Sequence, residues 1–169
     1  MRSLRPCSLG SMEETTCYAC DLSTGAAPLI GGLIGETRRW RVEHCQGPLG
    51  IGTLVVKPKR HCLHVWDLTR EESTELGPLL EVSARLVRNL KRANQVYVCL
   101  WSHAGWQPVH IHFLIQPAWN SQKELYAYPG PTLQHEMFEA NVALDEAEVA
   151  AFCEEARREF ARLQNQDRV

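Results

Sequence analysis

The stretch that decides the fold is Val109-His-Ile-His-Phe-Leu-Ile115, where apolar residues alternate with two histidines. Successive side chains of a β-strand point to opposite faces, so this stretch predicts a strand with a histidine face and an apolar face. The histidine face holds His110, His112 and Leu114, and the apolar face holds Ile111, Phe113 and Ile115. We expect the apolar face to pack on helices and the histidine face to lie outside the deep core. Two histidines one strand repeat apart either serve one common site or are simply half-exposed on a solvated face.

The segments around this strand predict the rest of the domain. The predicted elements are, in order, strands at 39–44 and 53–57 joined by a Gly/Pro turn, a helix after the capping box Thr69-Arg-Glu-Glu72, strands at 95–100 and 109–115, and a C-terminal helix at 145–165. Gly77-Pro78 predicts either a kink or a separate first turn, with Pro78 starting the main helix. The expected fold is therefore α+β, with a mainly antiparallel sheet of about five strands, one long helix and a C-terminal helix.

The length of 169 residues predicts one domain, over residues 15–169, behind a flexible N-terminal tail at 1–14. The stretch 118–144 is rich in Pro, Gly, Tyr and Gln and predicts a long loop. Long irregular segments in compact domains are usually functional or mobile, so we interpret 118–144 as a lid or specificity loop.

Composition excludes several classes of protein. The net charge of -2 and the pI near 6.4 argue against a polybasic nucleic-acid-binding protein. Gly and Pro break the apolar runs before they reach the length of a membrane span, so we expect a soluble protein. An odd number of cysteines, 7, without a secretory signal predicts thiols in a reducing compartment, and we expect the cytoplasm. A mitochondrial presequence at the N-terminus is the alternative.

The cysteines of Cys17-Tyr-Ala-Cys20 have the spacing of a metal-binding or redox pair. Two thiolates at this spacing can bind one zinc ion and leave two tetrahedral positions for other ligands. The alternatives are a redox pair or two unrelated thiols. A redox pair normally opens a helix after a strand, and no strand is evident before Cys17, so a metal is preferred.

Together these segments resemble the histidine-triad (HIT) superfamily. Cys17-Tyr-Ala-Cys20-Asp21 resembles the zinc-binding opening of bacterial members, and Gly52 to His61 resembles their strand followed by Pro-Lys-x-His. His110-Ile-His112-Phe-Leu-Ile resembles the signature in which histidines alternate with apolar residues, and Asp67-Leu68-Thr69 lies where such proteins enter the main helix. The likeness covers residues 17 to about 117.

The resemblance implies one structural zinc ion per chain, held by Cys17, Cys20, His61 and His110. Four protein ligands would close the coordination sphere, so the metal would join the N-terminal arm to the strand rather than activate water. The second signature histidine is the nucleophile of the family, and here it is His112. It would attack the α-phosphorus of a nucleotide and form a covalent nucleotidyl-histidine, which water or another acceptor then cleaves.

The chain also departs from the family pattern. Leu114 stands at the third histidine position, and Trp106 and Gln107 stand where the family has Gln and a Ser or Thr. The substrate-binding residues that we predict are Gln107, His103, Trp106, Gln116 and Thr53. Loss of the third histidine changes leaving-group assistance and predicts a slow enzyme.

The expected function is that of a nucleotide hydrolase or nucleotidyltransferase acting on a phosphoanhydride or phosphoramidate. The alternative is a zinc-stabilised nucleotide-binding protein with little or no turnover, and a third is a redox protein using the cysteine pair. The expected partner is a small nucleotide, with no nucleic acid and no membrane, and the resemblance implies a homodimer.

Overall fold

The architecture follows from a computed structural model that describes residues 17–101, 110–122 and 130–166. The helices are α1 (Tyr18–Thr24), α2 (Arg70–Lys91), α3 (Pro131–Ala140) and α4 (Glu146–Gln166), with a short 3₁₀ turn at Val65–Asp67. The strands are β1 (Leu33–Glu36), β2 (Trp40–His44), β3 (Leu54–Pro58), β4 (Gln95–Leu100) and β5 (Phe113–Ala118). The predicted tail at 1–14 lies outside the described residues.

The five strands form one antiparallel sheet in the order β1-β2-β3-β5-β4. The predicted hairpin is the β2–β3 pair, in which Val42 lies opposite Val56. The strand predicted at 109–115 is shifted in the structure: its ladder begins at Phe113 and continues through Pro117, which lies opposite Val96. The two histidines therefore precede the paired strand. The α+β fold with a five-stranded antiparallel sheet is confirmed.

One face of the sheet carries the main hydrophobic core. Trp40, Val56 and Ile115 pack there against Leu86 of α2 and Phe160 of α4. Gly35 of β1 lets α4 approach closely, because a Cβ atom at this position would collide with the Phe160 ring. The apolar side of the signature strand thus packs on two helices, as its alternation predicts.

Helix α2 begins at a complete capping box. The Thr69 hydroxyl accepts a hydrogen bond from the Glu72 backbone N–H, and the Glu72 carboxylate accepts one from the Thr69 N–H. The prediction of a separate first turn is wrong, because the helix runs without a break from Arg70 to Lys91 with Pro78 inside it. The buried stripe that includes Leu79 and Leu86 holds both halves of the helix on the same core.

The opposite face of the sheet is covered differently from what the sequence suggests. Helix α3 lies within the stretch 118–144, which therefore is not a loop throughout. Pro131 opens this helix and Asn141 ends it in the left-handed conformation. Met137 of α3 packs on a small buried cluster of Cys45, Leu49 and Leu114. In the described ranges, no helix combines the length and apolarity needed to cross a bilayer.

Candidate metal centre and adjoining cavity

Four potential metal ligands from three parts of the chain meet on this second face. Cys17 precedes α1, Cys20 lies within it, His61 follows β3 and His110 precedes β5. One ligand atom from each residue lies within 4.8 Å of all the others. The fold thus brings together all four residues that the sequence predicts as ligands.

A hydrogen bond to the backbone fixes the orientation of the His110 ring. Its Nε2 lies 2.8 Å from the Pro58 carbonyl oxygen, which assigns the ring proton to Nε2 and leaves the Nδ1 lone pair directed at the cysteines. Burial lowers the pKa of His110 to about 4, and the positive charge of Lys57 contributes to this lowering. The ring is therefore neutral at pH 7, the form that binds a metal.

Cys20 lies close to both imidazoles. Its Sγ is 3.3 Å from His61 Nδ1 and 3.4 Å from His110 Nδ1. Ligand atoms around tetrahedral zinc are separated by roughly 3.3 to 3.8 Å, as zinc bond lengths of 2.0 to 2.3 Å require. Burial raises the pKa of the Cys20 thiol to about 11, and the neighbouring Cys17 adds to the rise. The donor set and its spacing are compatible with zinc, which would have to displace the thiol protons on binding.

His112 has the hydrogen bond that a nucleophilic imidazole requires. Its Nδ1 lies 3.1 Å from the backbone carbonyl oxygen of His110. A carbonyl can only accept, so Nδ1 carries the proton and the lone pair resides on Nε2. The same residue, His110, therefore contributes its ring to the cluster of four potential metal ligands and its carbonyl oxygen to the hydrogen bond with His112.

A cavity of about 160 Å³ lies beside His112. The residues that line it are Tyr18, Ala19, Leu22, Glu43, His44, Gln46, Gly47, Val55, Lys57 and His112. One wall is helix α1, which also carries Cys20, and the floor is formed by β2 and β3. The metal cluster and the cavity thus share a wall.

Sequence reasoning missed the ion pair in this cavity. Lys57 Nζ lies 2.6 Å from Glu43 Oε1 and donates to the Ala19 carbonyl oxygen at 2.6 Å, and the lysine side chain is 0% exposed. The signal that could have found it is that the two strands of the hairpin carry opposite charges on the same face, Glu43 in β2 and Lys57 in β3. Opposite charges are expected to pair at such positions, because a lone buried charge is costly.

The predicted substrate-binding residues fall into two groups. Thr53 and Gln116 are fully buried, and both use their side chains within the protein. The Thr53 hydroxyl donates to the Leu49 carbonyl oxygen at 2.7 Å, and the Gln116 Oε1 accepts from Gln134 of α3 at 2.8 Å. A second group lies outside the described residues and contains His103, Trp106 and Gln107.

Leu114, at the third signature position, is 6% exposed and packs with Cys45 and Leu49. Its side chain contributes to a small apolar core under α3 and offers neither a donor nor an acceptor. The structure therefore gives this position a packing role.

No family model matches the chain, and no curated protein does. Solved structures do match. A zinc-bound histidine triad family protein from Mycobacterium smegmatis superposes with a TM-score of 0.65 at 23% identity, over 89% of this chain and 97% of that one. A hypothetical histidine triad nucleotide-binding protein from Sulfolobus tokodaii gives a TM-score of 0.66 at 15% identity, over 88% and 94% of the two chains.

A HIT-like protein from Bartonella henselae gives a TM-score of 0.63 at 17% identity and covers 82% of this chain and 92% of its own. At such low identities the likeness concerns the fold, and it extends over almost the whole described chain. The signature strand, the sheet order and these structural relatives agree, and the chain has the fold of the histidine-triad superfamily.

Proposed function

We propose that this protein is a nucleotide hydrolase or nucleotidyltransferase of the histidine-triad type, with His112 as its nucleophile. The observation that carries the proposal is the contact of 3.1 Å between His112 Nδ1 and the His110 carbonyl oxygen. This contact holds the imidazole with its Nε2 lone pair free to attack, and the ring lines a cavity.

The proposed reaction has two steps. His112 Nε2 attacks the α-phosphorus of a nucleotide, an N–P bond forms, and the bond from phosphorus to the leaving oxygen or nitrogen breaks. The leaving group departs with that electron pair and takes up a proton. Water or another acceptor then attacks the phosphorus and gives up a proton to the solvent. An O–P bond forms as the N–P bond breaks, which restores the imidazole and releases the nucleotide. The His110 carbonyl holds the Nδ1 proton throughout and stabilises the positive charge on the ring.

Leu114 sets the expected speed of this reaction. A positioned proton donor is worth about 10² to 10⁴-fold in rate, and Leu114 cannot supply one. We therefore expect slow turnover with poor leaving groups and faster turnover with good ones.

We also propose one structural zinc ion per chain, bound by Cys17, Cys20, His61 and His110. The support is the clustering of their ligand atoms and the Pro58 carbonyl behind His110. The same arrangement speaks against a redox role for the cysteine pair. Four protein ligands leave no open position for water, so the metal would hold α1 against the sheet.

Two structural relatives support both proposals. The Mycobacterium protein is zinc-bound, and the Sulfolobus protein is described as nucleotide-binding. A nucleotide as the partner and a homodimer are carried over as expectations of the resemblance, and a cytoplasmic location stays the expectation drawn from the cysteines. A lid role for 118–144 likewise stays a prediction.

The decisive experiment traps the covalent intermediate. The protein is incubated with adenosine or guanosine 5′-phosphoramidate, quenched in alkali, and analysed by peptide mass spectrometry. We expect a nucleotidyl mass on His112 and its loss in His112→Asn. The matched control is His64→Asn, because His64 stacks on Trp66 away from the cavity. Persistence of the adduct in His112→Asn, or its absence from the wild type, would contradict the mechanism.

A second candidate function is nucleotide binding without turnover, and the packing of Leu114 in an apolar cluster favours it. In that case nucleotides raise the melting temperature of the wild type and of His112→Asn equally, and no product forms. Measurements on the wild type and His112→Asn therefore distinguish the two candidate functions.

A further inference from the structure

A buried lysine connects the sheet to helix α1. The side chain of Lys57, in β3, is 0% exposed, and its Nζ lies 2.6 Å from Glu43 Oε1. The same ammonium donates a hydrogen bond to the Ala19 carbonyl oxygen at 2.6 Å. Ala19 belongs to the first turn of α1 and directly precedes Cys20. The ammonium therefore joins β3 to the turn of backbone that carries one of the four potential metal ligands.

Stability does not explain why this ion pair is buried. Glu43 Oε2 is buried, and nothing in the described part of the chain donates to it. A buried acceptor without a hydrogen bond is costly, and apolar side chains of similar volume in place of a buried ion pair are often neutral or stabilising. The contact that an apolar pair could not make is the hydrogen bond from Lys57 to α1.

Helix α1 is too short to hold its place by itself. It has seven residues, whereas isolated helices shorter than about 12 to 15 residues are marginal in water. Leu22 is its buried residue, and the N-cap Cys17 makes no side-chain capping bond. Arg41 of β2 donates to the Ser23 carbonyl oxygen at 2.7 Å, one turn beyond Ala19. Two cations of the sheet thus hold α1 by its carbonyl groups, and Lys57 is the one at the cysteine end.

The end of β3 orients a second ligand as well. Pro58, the residue after Lys57, accepts a hydrogen bond from His110 Nε2 through its carbonyl oxygen at 2.8 Å. On the other side of the His110 ring, Nδ1 lies 3.4 Å from Cys20 Sγ. Consecutive residues of one strand thus direct a ligand from α1 and a ligand from the signature segment towards each other.

We propose that Lys57 is a positioning residue of the metal centre, whose ammonium holds the first turn of α1 so that Cys20 faces the two histidines of the cluster before a metal ion binds. Glu43 keeps the ammonium in place. A site assembled in advance binds its ligand more tightly, because less ordering of the chain accompanies binding. This inference rests on the proposed function, since it takes the four-residue cluster to be the zinc site.

The first test removes the ion pair without leaving one charge buried alone. In the double variant Glu43→Leu, Lys57→Met both side chains become apolar at similar volume, so the protein should fold. Competition with a chromophoric chelator measures the Kd for Zn²⁺. We expect a rise of about 10- to 100-fold over the wild type, as for the loss of a group that orients a metal ligand. A wild-type Kd in the folded double variant overturns the inference.

Two controls separate positioning from the loss of a charge and from a general loss of stability. Lys59→Met removes a neighbouring lysine, whose partly exposed ammonium pairs with Glu36 at 3.0 Å. Leu86→Ala weakens the core on the opposite face of the sheet. Both variants should keep the wild-type Kd for Zn²⁺. A rise in either control as large as in the double variant overturns the inference, because the effect would then not depend on the contact with α1.

The second test examines the metal-free protein. Hydrogen exchange in the presence of chelator, measured by mass spectrometry, follows the backbone amides of residues 18–24. We expect these amides to be protected in the wild type and to exchange about tenfold faster in the double variant, since α1 opens locally without Lys57. Exchange of α1 at the rate of an unfolded chain in the metal-free wild type overturns the inference, because the metal would then place the helix. This measurement decides the question even if the double variant fails to fold.

Failure of this inference and failure of the proposed function give different results. An equal Kd for Zn²⁺ in the wild type and the double variant retains the metal centre and overturns the role of Lys57. A wild type that binds no Zn²⁺ overturns the proposed zinc site and this inference together. The trapped adduct on His112 tests the proposed reaction independently of both.

Discussion

The two faces of the sheet are built from different chemistry. The α2–α4 face is apolar throughout its centre, with Trp40 and Leu86 fully buried. The face under α1 and α3 holds the metal cluster, His112 and the Lys57–Glu43 pair, and its own apolar cluster is small. The comparison teaches that burial stabilises one face, while specific polar contacts and the proposed zinc ion stabilise the other. Substitutions on the two faces should therefore have different effects on stability and metal content.

The largest expected effect comes from the metal cluster. Cys20→Ser should remove the zinc and lower the stability by several kcal/mol, because the binding energy of a structural zinc ion contributes to folding. Metal analysis and thermal unfolding with and without chelator measure both quantities. The control Cys99→Ser changes a cysteine of β4 outside the cluster and should keep about one zinc ion per chain. A Cys20→Ser protein with full metal content would contradict the assignment.

A core substitution on the opposite face should affect stability alone. Leu86→Ala leaves a cavity between α2 and the sheet and should lower the free energy of unfolding by about 2 to 5 kcal/mol. Leu80→Ala, at a partly buried position of the same helix, should cost less. Denaturant unfolding measures the free energy of unfolding of both variants. Loss of zinc from folded Leu86→Ala would break the proposed independence of the two faces.

Two histidines, His110 and His44, are buried, so acid should destabilise the metal-free protein through both. Burial lowers the pKa of His110 to about 4 and also lowers that of His44. Below the ordinary value near 6.5 the unfolded chain binds protons that the folded chain does not, so stability is lost as the pH falls from about 6.5 towards 4. For His110 alone the loss is on the order of 3 kcal/mol.

Denaturant unfolding in the presence of chelator, repeated across this pH window, measures how the free energy of unfolding changes with pH. His44 has both ring nitrogens engaged, with Nδ1 at 2.7 Å from the Cys45 oxygen and Nε2 accepting from Gly52 N–H at 3.0 Å. A flat stability profile across the window would show that neither histidine is held neutral.

The smallest expected effect concerns the start of α2, which belongs to neither face. Thr69→Ala removes the capping box and should lower the free energy of unfolding by about 1 kcal/mol. Thr74→Ala is the matched control, since its hydroxyl only donates to the Arg70 carbonyl oxygen within the exposed part of the helix. Equal losses in the two variants would contradict the capping role.

The sequence was most informative where one local signal determines the structure. The β2–β3 hairpin follows from two alternating runs around a Gly/Pro turn, and the start of α2 follows from Thr69 and Glu72. The four cluster residues followed from the resemblance to a family, because spacing alone supports only the cysteine pair as a half-site.

Other features depend on contacts between distant residues. Helix α3 buries only Leu133 and Gln134, so it has little apolar periodicity to reveal it. The Lys57–Glu43 pair depends on the strand register, and the hydrogen bond from His112 to the His110 carbonyl depends on backbone geometry just before β5. None of these is determined by a short stretch of residue types.

Helix α1 contributes Tyr18, Ala19 and Leu22 to the cavity, whereas His112, the proposed nucleophile, belongs to the sheet side. Under the proposed function, substrate recognition and reaction are thus encoded in separate stretches of the chain. During evolution, a new substrate preference could be acquired by exchanging a few exposed positions of this seven-residue helix, with the two cysteines kept as its anchor and the chemistry inherited unchanged.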